Sequence, residues 1–277
     1  MLKFEDYCGI MKISVILGKA SFGGNPDFKR LCSRLEAEGH KVEHSDGKTL
    51  SDGTDILMSV GGDGTFLAAS KLAYETGTPI VGVNLGHLGF LSENTPDAVA
   101  DALSGGHYNI QDRSMLCTTL GNDRFMALNE VCVSRGDGPM LGVDVCVDGN
   151  ALPTYWADGL MVSTPSGSTA YSLSVGGPIV MPSSKVLIIA PIAPHNLNVR
   201  PMIVPAESRI ELKFQSRDRS VNLSVDNSLQ KISADSSVLV EVAQFSLKRV
   251  CLDNSNFIKA LSEKLFWGED KRNGHDR

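Results

Sequence analysis

The sequence predicts two domains, an N-terminal α/β domain built on a parallel sheet and a C-terminal all-β domain. Strand and helix patterns alternate over the first third of the chain. After about Tyr108, short β-like runs follow one another with turn residues between them. Alternating strands and helices are typical of a parallel sheet with helices on its faces. Successive short strands are typical of a sandwich or layered sheet.

The first domain, residues 1–108, contains four predicted strands and three predicted helices. The first helix begins at Asn25-Pro26, a cap residue followed by proline, and ends near Gly39. The predicted strands are Lys12–Gly18, His40–His44, Ile56–Val60 and Pro79–Val83, and the other helices are Thr65–Thr76 and Pro96–Leu103.

The second domain, residues 109–254, has turn signals between its strands, as at Asp226-Asn227. A last amphipathic helix over 255–267 is expected to return to the first domain, and 268–277 is expected to be a frayed tail. The predicted strands are Met115–Leu120, Phe125–Ser134, Gly142–Val147, Leu160–Ser163, Val186–Ala190, Arg209–Phe214, Val221–Val225, Val238–Val242 and Leu247–Leu252.

Composition narrows the class of protein. The 277 residues are 42% hydrophobic and 21% charged, with a net charge of −6, which disfavours a nucleic-acid partner. No segment approaches the ~20 apolar residues of a membrane span, and the N-terminus lacks a secretory signal. The six cysteines form no CxxC pair, which argues against zinc and for reduced thiols. We therefore expect a cytoplasmic protein without a membrane or nucleic-acid partner.

A glycine-rich loop follows the third predicted strand and leads into the second predicted helix. Its sequence is Gly-Gly-Asp-Gly-Thr, residues 61–65. Glycine lets the backbone approach a ligand closely, and the free N–H groups of a helix N-terminus favour an anion. Gly61, Gly62, Gly64 and Thr65 are therefore the candidate phosphate loop, although the spacing is not that of a P-loop. A tight turn capped by Asp63 is the alternative.

Two further motifs follow apolar runs. Residues 84–91, NLGHLGFL, come directly after the fourth strand and lie at the same sheet edge as the first loop. They offer apolar side chains for a base-stacking pocket, or form a plain glycine-rich turn with His87 as an ordinary polar residue. Asn129 and Glu130 interrupt an apolar run, and buried polar groups need partners. A Glu carboxylate can accept both hydroxyls of a ribose, whereas a strand end in solvent is the alternative.

The most informative stretch is 157–178, ADGLMVSTPSGSTAYSLSVGGP. Its hydroxyl and backbone N–H groups converge without formal charge, which suits recognition of sugar, amide and phosphate groups. A serine hydrolase is not indicated, because the GxSxG elbow is missing.

These motifs, in this order, resemble the NAD kinase family, as does Pro191–Pro201, PIAPHNLNVRP. The resemblance extends from the first strand to about Pro205. It implies a Rossmann-like N-terminal domain, a C-terminal β-sandwich-like domain and an active site between them. The implied reaction transfers the ATP γ-phosphate to the 2′-hydroxyl of the adenosine ribose of NAD. Mg²⁺ carried by ATP, and a homodimer or homotetramer, are implied as well.

Residue by residue, the resemblance implies that Asp63 is the general base. Asn129 and Glu130 are the implied ribose-binding pair, and Asp158 the carboxylate that meets the nicotinamide end of a dinucleotide. The other residues implied at the NAD site are Gly64, Phe66, Ser166, Thr169, Ala170, Tyr171, Ser172, Leu173 and Ser174, with no metal ligand from the protein.

Two positions depart from the family pattern. Trp156 stands where some members have a basic residue, so this position offers no cation to a diphosphate. Asp226-Asn227 replaces a common Asp-Gly hairpin, and Asn tolerates the left-handed conformation such a turn needs.

Two other functions fit part of the sequence. A lipid kinase could use the same glycine loop, but it leaves Asn129-Glu130 and the serine-rich stretch unexplained. A non-catalytic dinucleotide sensor would bind NAD and keep its output after Asp63→Asn. The complete motif set with an intact Asp63 favours the kinase.

Overall fold

The structure, a computed structural model, describes residues 9–86, 89–196, 198–253 and 255–265. The described residues up to Gln111 and from Lys248 form one compact unit, and Asp112–Leu247 form a second. The strands are β1 (Lys12–Leu17), β2 (Lys41–His44), β3 (Ile56–Val60), β4 (Ile80–Val83), β5 (Tyr108–Leu120), β6 (Asp123–Ala127), β7 (Glu130–Ser134), β8 (Leu141–Val147), β9 (Asn150–Ala151), β10 (Tyr155–Ala157), β11 (Gly159–Ser163), β12 (Val186–Ile192), β13 (Met202–Pro205), β14 (Ile210–Gln215), β15 (Ser220–Val225), β16 (Ser228–Ser233) and β17 (Ser237–Leu252). The helices are α1 (Pro26–Ala37), α2 (Asp63–Thr76), α3 (Pro96–Gly105), α4 (Tyr171–Ser174) and α5 (Phe257–Leu265), and Ala20–Gly24 and Ser166–Thr169 are 3-10 turns.

The first unit is the predicted α/β domain. Its parallel strands lie in the order β4-β3-β1-β2, and the end of β17 adds to β4 at the pair Arg249 and Ile80. Helix α1 begins as its sequence predicts, because the Asn25 side chain accepts the N–H groups of Asp27 and Phe28. The loops that follow β3 and β4 leave the same edge of the sheet, which positions the first part of the site.

The second unit is the predicted all-β domain. Strands β13-β12-β11-β7-β15-β16 form one antiparallel sheet, and β10-β8-β14 pair with the beginning of β17 in another. Alternate residues of both sheets, such as Val131 and Val133 of β7 and Val143 and Val145 of β8, share one buried core. The intervening residues of β7, Glu130 and Cys132, therefore lie on the opposite face of their sheet. The predicted fold classes of both domains are confirmed.

Several element boundaries differ from prediction. Helix α2 begins at Asp63 and not at Thr65, with Gly62 as its N-cap. The predicted strand Phe125–Ser134 is two strands, β6 and β7, because Leu128 and Asn129 between them belong to no strand. Conversely, β17 runs without a break through the two strands predicted at 238–242 and 247–252. The short strands β9, β10, β13 and β16 were not predicted.

Other expectations fall outside the described residues. They are the frayed tail 268–277, the last two residues of the predicted C-terminal helix, and His87 and Leu88 of the second loop. Within the described part of the chain, no helix is long and apolar enough to cross a membrane.

Candidate active site

The glycine loop between β3 and α2 is shaped by close packing around Thr65. Gly61 has φ 154°, and a Cβ placed on it would lie 2.4 Å from the Thr65 hydroxyl oxygen. A Cβ on Gly18, at the end of β1, would lie 2.2 Å from the same atom. Both positions therefore require glycine, and the Thr65 side chain fits between two backbones.

The N-terminus of α2 opens towards solvent at this loop. Gly62, the N-cap, and Gly64, in the first turn, are exposed. In this first turn Thr65 donates its N–H to the Gly62 carbonyl at 2.9 Å, and the N-terminus of a helix carries a partial positive charge. Without side chains at Gly62 and Gly64, an anion can approach this N-terminus closely. The loop therefore leaves room for an anion, and its role as a phosphate loop stays a prediction.

The Asp63 carboxylate is held by hydrogen bonds from the second loop and is not an isolated charge beside the glycine loop. Its Oδ1 accepts the N–H groups of Leu91 and Ser92 at 3.0 and 2.9 Å, and its Oδ2 accepts that of Phe90 at 2.9 Å. A Cβ on Gly89 would lie 1.9 Å from Oδ1. Asp63 therefore anchors the second loop to the first through three charge-assisted hydrogen bonds, and Gly89 makes room for its carboxylate.

The second loop is braced from within by two asparagines. Asn84 donates from its side chain to the Ser92 carbonyl at 3.2 Å, and Asn94 donates to the Gly82 carbonyl at 2.9 Å. Phe66 lies beneath the loop with 0% exposure, and a Cβ on Gly82 would lie 3.1 Å from its ring. Phe66 is thus part of the packing that supports the loop, and its implied contact with NAD stays a prediction.

In the second unit, the backbone around Asn129 and Glu130 is held by a carboxylate from a distant hairpin. Asp226 accepts the N–H groups of Leu128, Asn129 and Glu130 at 2.5, 2.8 and 3.2 Å. Asp226 and Asn227 both have positive φ, 43° and 67°, as the tight turn between β15 and β16 requires. This turn explains why the predicted strand 125–134 is interrupted.

The serine-rich stretch packs directly on the same segment. Thr164 donates its N–H to the Asn129 carbonyl at 2.9 Å and its hydroxyl to the Leu128 carbonyl at 2.6 Å. A Cβ on Gly167 would lie 2.2 Å from the Asn129 carbonyl oxygen. The structure therefore brings together two motifs that are about 35 residues apart in the sequence.

A cavity of about 480 Å³ lies beside these motifs in the second unit. It collects three of the implied NAD-site residues, Glu130, Asp158 and Tyr171. Asp158 forms an ion pair with Arg135, Nε to Oδ1 at 2.9 Å. The remaining lining residues are Cys132, Ser134, Arg135, Gly136, Ile192, Ser224 and Asn227.

Polar atoms without partners occur at this site. Asn129 Oδ1 and Glu130 Oε2 are buried and have no hydrogen-bond partner among the described residues. Burial, and secondarily the Asp226 charge, raise the pKa of Glu130 to about 7. Unpaired buried acceptors are costly in a protein interior, so their presence beside a cavity favours a ligand that donates hydrogen bonds.

The implied NAD-site residues from Ser166 to Ser174 lie in the 3-10 turn Ser166–Thr169, in α4, and at Ala170 between them. Tyr171 and Ser174 are exposed, Ser166, Thr169, Ala170 and Leu173 are partly exposed, and Ser172 is buried beneath Gly177. Burial raises the pKa of Tyr171, with smaller contributions from Cys132, Glu130 and Asp158.

Sequence reasoning missed four charged residues that support the site: Arg135, Asp226 as a backbone anchor, Arg249 and Lys264. Arg249 is a charged residue within the apolar strand pattern LKRVCL, a signal that could have indicated a buried partner. The sequence predicts Asp226 as a turn residue, but not its hydrogen bonds to the backbone around Asn129. Nothing local distinguishes Lys264 from other lysines of its helix.

The first unit has a parallel sheet with a glycine loop at a helix N-terminus, and the second has a cavity lined by Glu130, Asp158 and Tyr171. These features define a protein of the nucleotide-binding α/β class. The model of the ATP-NAD kinase N-terminal domain matches residues 15–107, and that of the ATP-NAD kinase C-terminal domain matches residues 128–252. The chain belongs to the ATP-NAD kinase family and is a kinase.

Individual relatives agree with this assignment. NAD kinase of Flavobacterium psychrophilum is 39% identical over 239 residues, 83% of this chain and 81% of the relative. NAD kinase of Cytophaga hutchinsonii is 41% identical over 228 residues, 79% and 78% of the two chains. The yeast NADH kinase complexed with NADH is 25% identical with a TM-score of 0.84, covering 96% of this chain and 90% of its own. An NAD kinase from Archaeoglobus fulgidus in complex with ATP is 27% identical with a TM-score of 0.76, covering 92% and 99%.

Proposed function

We propose that this protein transfers the γ-phosphate of ATP to the 2′-hydroxyl of the adenosine ribose of NAD. The 2′-oxygen forms the new bond to phosphorus, the bond between the γ-phosphorus and the β,γ-bridging oxygen breaks, and ADP leaves with NADP. The hydroxyl proton passes to Asp63. Phosphoryl transfer depends mainly on positioning and on stabilisation of charge. The relatives whose names state NAD or NADH and ATP support these substrates.

The observation that carries the proposal is the pair of unpartnered buried acceptors, Asn129 Oδ1 and Glu130 Oε2. Glu130 lines the cavity and Asn129 precedes Glu130 in the chain. Ribose hydroxyls are donors that would satisfy these acceptors. The ionised form of Glu130 accepts such bonds best, so we propose that bound ribose favours ionisation of this carboxyl.

The role of Asp63 as general base fits the hydrogen bonds of its carboxylate. Among the described residues, Oδ2 accepts one hydrogen bond and Oδ1 accepts two. Oδ2 thus keeps a lone pair for a substrate proton, while the three N–H groups fix the direction of the carboxylate. A base held in this way contributes about 10²–10⁴ in rate.

Anionic phosphates would bind at the N-terminus of α2, where Gly62 and Gly64 are exposed. In the described ranges, no three His, Cys, Asp or Glu side chains are grouped to hold a metal ion. Mg²⁺ is proposed to arrive on ATP, where phosphate and water oxygens are its preferred ligands and where it neutralises phosphate charge. A cytoplasmic location and a homodimer or homotetramer complete the proposal, and light scattering on a sizing column tests the latter.

The test is NADP formation from NAD, ATP and Mg²⁺, followed with an NADP-specific dehydrogenase. Asp63→Asn is compared with the wild type, and NAD binding is measured in parallel. We expect kcat to fall by about 10²–10⁴ with NAD binding retained.

Asp55→Asn is the matched control, because Asp55 also accepts a backbone N–H, that of Lys12 at 2.7 Å, but lies away from the glycine loop. An active Asp63→Asn would remove the general base from the mechanism. A folded wild type that binds NAD without forming NADP would instead indicate a sensor. Failure to bind NAD would direct the search to lipid acceptors.

A further inference from the structure

Three successive peptide groups in the second loop have charged partners at both ends. The N–H groups of Phe90, Leu91 and Ser92 point to the Asp63 carboxylate. Each of these N–H groups belongs to a peptide whose carbonyl is carried by the preceding residue. The carbonyls in question are therefore those of residues 89, 90 and 91, and they lie on the opposite side of the loop.

Those three carbonyls accept hydrogen bonds from two cationic side chains. Arg249 Nη2 donates to the carbonyls of Phe90 and Leu91 at 3.2 and 3.1 Å. Lys264 Nζ donates to the carbonyl of Gly89. Each peptide group thus lies between the Asp63 carboxylate and a cation, with its dipole aligned with the field between them.

Both cations are held in place by contacts of their own. The Arg249 side chain is 6% exposed and pairs with Glu93 at 2.8 Å. Lys264 lies 4.7 Å from the centre of the Phe90 ring, which itself packs 6.3 Å from the ring of Phe257 at the start of α5. Burial lowers the pKa of Lys264, against which the charges of Glu93 and Asp63 act to raise it. These contacts fix both donors relative to the loop.

We propose that Arg249 and Lys264 are positioning residues that act on Asp63 through the peptide groups of residues 89–92. This rests on the proposed role of Asp63 as the base. Hydrogen bonds in a chain polarise one another, so cations at the carbonyls strengthen the N–H donors that face Asp63. Without them, the carbonyls of residues 89–91 would lose these donors, and the peptide groups would be held less firmly against the carboxylate. Lys264 lies on α5, beyond residue 252, where the match to the family's C-terminal domain ends.

Lys264→Met removes the donor on α5, and Lys264→Arg restores it. Lys259→Met is the matched control, because Lys259 lies on the same helix, is exposed and pairs only weakly with Glu263, at 3.8 Å. We expect kcat for NADP formation to fall by about 10- to 100-fold in Lys264→Met. The KM values for NAD and ATP should stay near those of the wild type, and Lys264→Arg should recover most of kcat.

A second readout does not depend on activity. The amide ¹H–¹⁵N signals of residues 90–92 in the full-length, nucleotide-free protein should move in Lys264→Met and stay in place in Lys259→Met. Unmoved signals in Lys264→Met, or a loss of kcat that Lys264→Arg does not recover, would overturn the proposal. If the wild type forms no NADP, the proposed function fails, and the amide signals still decide whether Lys264 supports the loop.

Arg249 is tested by Arg249→Lys, which keeps a cation beside Glu93 and preserves the fold. All three contacts of Arg249 come from Nη2, and the shorter lysine side chain does not reach the position of that atom, so the signals of Leu91 and Ser92 should move and kcat should fall. An Arg249→Lys variant with wild-type kcat and unmoved signals would contradict the role assigned to Arg249.

Discussion

Replacement of Glu130 by glutamine should stabilise this protein at alkaline pH while weakening its site. Burial, with a smaller contribution from Asp226, raises the pKa of Glu130 from 4.5 to about 7. This difference corresponds to a cost of about 3 kcal/mol for the ionised carboxylate in the folded state. The folded pKa lies above the unfolded one, so the folded protein binds more protons between these two values. The contribution of Glu130 to stability is therefore fully present below pH 4.5 and is lost as pH rises through about 7.

Glutamine carries no charge at any pH, but its amide also needs hydrogen bonds in the cavity wall. We therefore expect Glu130→Gln to gain about 1–3 kcal/mol of unfolding free energy at pH 8 and less than about 1 kcal/mol at pH 5. The measurement is urea unfolding of the NAD-free protein at both pH values. Glu207→Gln, an exposed position in the same unit, should show no such difference. A Glu130→Gln variant that is no more stable than wild type at pH 8 would refute the reasoning.

Three further outcomes are expected. Asp226→Asn should cost about 2 kcal/mol, because one side-chain oxygen cannot serve all three N–H groups around Asn129; thermal unfolding measures it, and an unchanged melting temperature would contradict it. NAD affinity, measured by calorimetry, should weaken towards about tenfold per pH unit below pH 7, as Glu130 protonates, and should be flat with pH in Glu130→Gln. Gly89→Ala should abolish activity in the coupled assay, because its Cβ would overlap Asp63 Oδ1; an active variant would show that the carboxylate can move.

The fold class could be predicted from local sequence patterns. Strand and helix periodicity, the Asn25 cap and the glycines after β3 and β4 are signals carried by neighbouring residues. The glycine loop, Asn129-Glu130 and the serine-rich stretch were found for the same reason. Each is a polar or glycine-rich interruption next to an apolar run.

Long-range contacts explain what was missed. The break between β6 and β7 depends on Asp226, which is 98 residues away from Leu128. Arg249 and Lys264 meet the second loop across 158 and 175 residues. Such contacts do not change the hydrophobic periodicity of either segment, because each segment has the sequence pattern of an ordinary strand or helix. The role of Asp63 as an anchor of the second loop was hidden in the same way.

The two aspartate anchors also determine which substitutions these loops can accept. Asp63 and Asp226 each bind three consecutive main-chain N–H groups, at residues 90–92 and 128–130. Nineteen of the twenty amino acids supply that group, and proline does not. For the anchoring itself, the side chains of the six anchored residues are therefore interchangeable. The anchoring itself therefore excludes only proline, and the side chains are constrained separately, by the burial of Leu91, Ser92 and Leu128 and by the proposed ribose contacts of Asn129 and Glu130.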